Sequence, residues 1–169
     1  LKNIPVGHSM PVEGNSSIIN VLGDTTSKAV KALGYTGPSN VDLLLNKKGE
    51  ALVLEVGARI GATCLPELVQ MATDQNLYQL QVDLSLGNIV LNENIQTKQV
   101  SSGVRIITSL EKIEIDEIMI NSVSSQLEEI KHIYNLKEIK IDNKNAKFIS
   151  ALNSGVDRFG SILLKDSKL

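Results

Sequence analysis

Residues 41–68 read VDLLLNKKGEALVLEVGARIGATCLPEL. Two runs rich in β-formers and aliphatics, 41–45 and 51–56, flank the polar loop 46–50 with its single glycine, which is the pattern of a β-hairpin. With Lys47, Lys48, Gly49 and Glu50 as the loop, facing residues have numbers that sum to 97. Leu45 then meets Leu52, Leu43 meets Leu54 and Val41 meets Val56. Side chains alternate across a strand, so that face is wholly aliphatic and is expected to be core. The other face pairs Leu44 with Val53, Asp42 with Glu55 and Asn40 with Gly57. After the hairpin, residues 57–63 are small and glycine-rich, and Pro66 and Glu67 suit the first turn of a helix.

Two carboxylates directly opposite on neighbouring strands repel. The pair is relieved by protonation, by exposure to solvent, or by a divalent cation between them. Hard oxygen ligands on a stiff hairpin suit magnesium or manganese, which takes one or two protein carboxylates and completes its shell with water and phosphate. An acid pair on an exposed strand is, taken alone, more often solvated surface. Beside it, Arg59 and the start of the next helix make an anion site, because a guanidinium and unpaired N–H groups point the same way. Arg59 could instead neutralise Asp42 or Glu55. The small residues Gly57 and Gly61 allow close backbone approach by a ligand.

Asp42, Glu55 thirteen positions later, Arg59 in Glu-x-x-x-Arg and the glycine loop together resemble the metal-binding end of the ATP-grasp superfamily. Glu-Val-Gly-Ala-Arg-Ile-Gly followed by Leu-Pro-Glu-Leu-Val is similar to the amino-acid-ligase and carbamoyl-phosphate-synthase-like branch. The resemblance is strongest over residues 38–87. It implies Asp42 and Glu55 as metal ligands and ATP contacts, Leu44 as the apolar residue packing on adenine, and Arg59 as the catalytic cation. Arg59 would hold a phosphate, an acyl phosphate or a substrate carboxylate. Gly57, Gly61 and Arg59 would line the substrate side. Gly7-His8-Ser9-Met10-Pro11 is similar to a passage beside the acceptor pocket, which implies His8 as a substrate contact; the plainer reading is a loop histidine. Relatives usually carry an asparagine ligand where this chain has Gly57.

The chemistry implied is ATP-dependent activation of a carboxylate as an acyl phosphate, followed by attack of an amine or similar nucleophile. ATP, with magnesium or manganese as cofactor, and small carboxylate and amine substrates are the expected partners. The family's phosphate flap, nucleotide-contacting lysines and hinge acid have no counterpart here. The chain opens on Leu1-Lys2-Asn3 without an initiator methionine, and reads as the carboxy-terminal piece of a longer protein. The amino-terminal half of that protein is therefore an expected partner, and the isolated chain is expected to be inactive. The competing reading is a degenerate ATP-grasp module kept as a non-catalytic nucleotide-binding or scaffold domain.

The 169 residues carry a net charge of −2 and are 42% apolar, ordinary for one soluble domain with a sizeable core. Near-balanced charge without a basic run argues against nucleic acid as a partner. No apolar run approaches the roughly 20 residues of a membrane span, so no membrane partner is expected and cytoplasm is the default. Cys64 is the one cysteine, which leaves no internal disulfide and reads as packing. Oligomeric state is open, a homodimer included.

The expected fold is α+β: an antiparallel sheet with packed helices, part of an ATP-grasp fold, over residues 1–99, then a small β-rich carboxy-terminal lobe over 100–169. Residues 1–11, with Pro5 and Pro11, make at best an edge strand. Residues 16–33 show helical spacing interrupted at Gly23-Asp24, where Asp24 or Thr25 could cap a second segment. Helices are expected over 65–72 and 76–86, with Asp74 standing where relatives often have glycine. Strands are expected over 100–108, 136–141, 146–151 and 157–164, and a helix over 121–134. His132 on that helix is most simply solvated, and Asp157-Arg158 reads as a turn or salt-bridging pair.

Overall fold

The computed structural model describes residues 4–12, 14–88, 100–134, 136–141 and 147–166. They are α+β with antiparallel pairing throughout the named strands, as the sequence leads one to expect. The chain divides into two compact units, Pro11–Lys98 and a second made of Leu1–Met10 with Gln99–Leu169. Residues 1–10 thus group with the carboxy-terminal segment.

In the first unit, α1 (Ser16–Ala32) leads through a Tyr35–Pro38 turn into the hairpin β2 (Asn40–Leu45) and β3 (Ala51–Gly57). Two short helices follow, α2 (Leu65–Thr73) and α3 (Leu77–Ser85). Helix α1 is one continuous element and packs on β3, where a break at Gly23-Asp24 was expected. A helical glycine costs only about 1 kcal/mol against alanine, and the 17-residue amphipathic face outweighs it. The cap is Asn15, whose side chain accepts from the Ile18 N–H at 3.1 Å. Leu68 and Ala72, four apart on α2, are buried as one stripe.

The hairpin register differs from the simple reading in its outer half. Asn40 faces Gly57, Val41 faces Val56 and Asp42 faces Glu55, as expected; then Leu43 faces Val53, Leu44 faces Leu52 and Leu45 faces Ala51. The cause lies in the turn. The Asn46 N–H donates to the Glu50 carbonyl (3.0 Å), so only Lys47, Lys48 and Gly49 form the loop, with Gly49 left-handed at φ +80°. A three-residue loop with a left-handed glycine is a favoured hairpin connection. The Asn46 Oδ1 accepts from the Lys48 and Glu50 N–H groups at 2.9 and 3.0 Å and fixes it. The extra residue is absorbed at Leu54 as a β-bulge next to the acid pair. Leu52 thereby moves from the expected aliphatic face to the acid-bearing one.

The second unit holds a four-stranded sheet in the order β1 (Gly7–Met10), β4 (Ser101–Ile107), β8 (Gly160–Asp166), β6 (Leu136–Ile141). A two-residue pair joins β5 (Ile113–Glu114) to β7 (Phe148–Ile149), and α4 (Glu117–Tyr134) runs beside β6. The two strands expected over 136–141 and 146–151 pair elsewhere, with β8 and β5, rather than with each other. Val104, Ile106, Phe159 and Leu163 are the buried core. Asp157 Oδ2 accepts from the Asn153 and Ser154 N–H groups and the Ser154 hydroxyl, closing the turn that leads into β8. The side chain of His132 and the connector 142–145 lie outside the described residues. No described helix is long and apolar enough to cross a membrane.

Candidate functional site

Asp42 and Glu55 are direct cross-strand partners on one face of the hairpin, and both are exposed. That register puts their Cβ atoms roughly 5 Å apart, close enough for one cation to touch both carboxylates. The bulge lies immediately beyond the pair, so the acids keep the one register that opposes them while the outer half shifts. On the same face, the next facing pair is Leu44 with Leu52, 52% and 49% exposed. They form an aliphatic shelf beside the carboxylates.

Asn40 was not singled out from the sequence, although it stands two residues before Asp42 on the same face. Its Nδ2 donates to Asp42 Oδ1 at 2.9 Å. Gly57, opposite Asn40, would tolerate a side chain: an added Cβ meets nothing nearer than the Asn40 carbonyl oxygen at 3.7 Å and the Arg59 side chain at 3.8 Å. Gly61 would not. A Cβ there would lie 2.8 Å from Leu65 Cδ1 and 3.0 Å from Asn40 Oδ1.

Arg59 follows β3 directly, its N–H bonded to the Gly57 carbonyl at 2.8 Å. Its exposed guanidinium donates to the Ile60 carbonyl at 3.0 Å, inside its own loop. Among the described residues it pairs with neither Asp42 nor Glu55, so its charge is not spent on the acids. The loop then enters α2 through Thr63 and Cys64, both left-handed at φ +58° and +63°. Cys64 occupies the cap position without a side-chain capping bond, and Pro66 stands in the first turn. Glu67 in that turn accepts from the Tyr78 hydroxyl on α3 at 3.0 Å, while its other oxygen, Oε2, is buried without a hydrogen-bond partner. Burial, then the hydrogen bond and charge of Glu67, push the Tyr78 phenol above its ordinary value.

His8 belongs to the other compact unit. It sits on β1 opposite Val104, half-buried on the sheet face that carries the core residues Val104 and Leu163. Thus the fold brings Asn40, Asp42, Leu44, Glu55, Gly57, Arg59 and Gly61 onto one hairpin and its following loop. Among the described residues no three of His, Cys, Asp and Glu gather as a metal cluster. The oxygen donors on this face of the hairpin are the two carboxylates of Asp42 and Glu55. That is a hard-oxygen set with the one or two protein carboxylates magnesium takes, its remaining positions being left to water and phosphate.

No family model matches this chain, and neither does any curated protein. Solved structures do. An L-amino acid ligase from Bacillus licheniformis aligns with a TM-score of 0.80 and 23% identity over 99% of this chain and 42% of its own. A phosphoribosylglycinamide synthetase from Anaerococcus prevotii gives 0.74 and 23% over 98% of this chain and 41% of its own. An N5-carboxyaminoimidazole synthase from Aspergillus clavatus, solved with ADP and 5-aminoimidazole ribonucleotide, gives 0.66 and 16% over 100% and 41%. The chain therefore spans about two-fifths of the length of these enzymes. At this identity the likeness is one of fold.

Proposed function

We propose that this chain supplies the metal-binding part of the ATP site of an ATP-dependent ligase. The ligase would activate a carboxylate as an acyl phosphate and join it to an amine or similar nucleophile. The observation that carries the reading is the Asp42–Glu55 pairing, held in register on the inner side of a bulge. Like charges directly opposite cost stability unless something answers them, and Arg59 is turned to its own loop.

Asp42 and Glu55 would hold magnesium or manganese, and the ion when bound supplies positive charge to phosphate oxygens. Leu44 and Leu52 offer an apolar face to an adenine ring. Arg59, an unspent guanidinium on a small-residue loop, would bind the phosphate or the substrate carboxylate and stabilise charge developing in phosphoryl transfer. Gly57 leaves open space opposite Asn40 and Gly61 lets the loop press close to it, and both would line the substrate side. His8 is carried as a substrate contact on the family resemblance alone.

Aliphatic residues are exposed on both faces of the hairpin: Leu44 and Leu52 on one, Leu45 and Val53 on the other. Helix α1 packs on β3 and still leaves these residues exposed. The remaining, amino-terminal part of the parent ligase would cover them and bring the rest of the nucleotide site, in the cytoplasm. On this reading the isolated chain binds ATP weakly and turns nothing over. One observation favours the alternative of a degenerate nucleotide-binding or scaffold module: position 57, open to a side chain, offers no donor.

The test is magnesium-dependent ATP consumption by the full-length parent across a panel of amino acids and small carboxylates, wild type against Glu55→Gln. Turnover lost in the variant supports the ligase. No turnover with any candidate, together with ATP binding indifferent to Glu55→Gln, supports the scaffold.

A further inference from the structure

An ionised carboxylate only accepts hydrogen bonds, so the carboxamide of Asn40 must present its NH2 to Asp42. That fixes the amide's orientation and turns Oδ1 the other way, toward Gly61. The 2.9 Å bond engages one oxygen of Asp42 and leaves the second for the face shared with Glu55. A charge-assisted bond of this kind orders a short side chain on an exposed strand. Gly61 enters the same arrangement, since a Cβ there would come within 3.0 Å of Asn40 Oδ1 and 2.8 Å of Leu65 Cδ1. The loop can press against the strand end only because residue 61 has no side chain.

We infer that Asn40 is a positioning residue for Asp42, and that Gly61 acts through it by clearing the space its carboxamide occupies. The inference rests on the metal reading of the hairpin given above. Outer-shell partners that orient a ligand characteristically change metal affinity about 10–100-fold when removed.

The experiment measures Mn2+ affinity of the 169-residue chain by electron paramagnetic resonance, with thermal midpoints recorded alongside. Wild type, Glu55→Gln, Asn40→Ala and Gly61→Ala are compared, together with the Asn40→Ala/Gly61→Ala double variant. Asn40→Ala is expected to weaken Mn2+ roughly tenfold with little change in midpoint. Gly61→Ala should weaken it in the wild-type background and change it less than about twofold once Asn40 is gone, the non-additivity of residues acting through one another. If Gly61→Ala fails to fold because of Leu65, Asn40→Ala decides alone. Unchanged Mn2+ affinity in Asn40→Ala beside a loss in Glu55→Gln would overturn the positioning role and leave the metal site standing. Equal Mn2+ binding by wild type and Glu55→Gln would overturn the metal reading, and this inference with it.

Discussion

Strands β4 and β8 and the hairpin β2–β3 are written in similar residues, yet they end in opposite environments. Leu163 is 1% exposed in the four-stranded sheet, whereas Leu54 on the hairpin is 66% exposed. Alternation of aliphatic residues specifies a strand with a face to hide, but not what hides it. In the sheet, neighbouring strands and buried Val104, Ile106 and Phe159 close a core. In the hairpin, α1 packs on β3 and leaves aliphatics uncovered on both faces, one of them beside an acid pair. The stable sheet carries no chemistry that the sequence singles out beyond His8. The exposed hairpin carries nearly all of it.

That contrast can be broken by substitution. Leu163→Ala should cost about 3 kcal/mol by cavity formation, read from chemical denaturation, while Leu54→Ala should stay within about 0.5 kcal/mol. Equal losses would show that the hairpin leucine is buried in solution. A second, smaller effect concerns what holds the hairpin without a core. Asn46→Ala removes both turn bonds of its Oδ1 and the bond from its Nδ2 to Glu50 Oε2. It should cost about 1–2 kcal/mol and loosen amide protection on β2 and β3 before β4.

Next comes the Tyr78–Glu67 bond behind the loop. Tyr78→Phe should cost about 0.5–1 kcal/mol at neutral pH, discounted because Tyr78 is half exposed. The raised phenol value means the folded state holds that proton more tightly. Its contribution is therefore complete below the unfolded value of 10.0 and drains away as pH rises through the higher folded one. A stability–pH titration should show that alkaline slope in the wild type and a flatter one in Tyr78→Phe.

How much of this was legible varies with the range of the interaction. Asp42 and Glu55 face each other as a four-residue loop over 47–50 leads one to expect, although the loop has three residues. The outer register could not be read, since a three-residue loop with Gly49 left-handed and a four-residue loop differ by one residue and leave the same composition. The acid pair kept its partners only because the bulge at Leu54 absorbed the difference. The single helix across Gly23 was missed by treating a glycine as a stop where it is a modest penalty. The pairing of β6 with β8 and of β7 with β5 lies outside any local pattern. Asn40 had a readable signal, two residues before Asp42 and opposite a glycine, but its hydrogen bond required coordinates. The tightness at Gly61 likewise appears only when loop and helix are placed together. What the small residues at 57 and 61 suggested as a pair separates in three dimensions: one is open, the other filled by the chain's own atoms.

Whether the Asp42–Glu55 face of the hairpin holds a divalent cation, as proposed, is tested most directly by Mn2+ titration of the 15N-labelled chain followed by paramagnetic broadening of backbone amides, in wild type and in Asp42→Asn. Amides at 40–42 and 55–57 are expected to broaden first in the wild type, and this preference to disappear in Asp42→Asn. Broadening that starts elsewhere, at Glu114 and Asp116 for instance, or that Asp42→Asn leaves unchanged, would contradict the proposal.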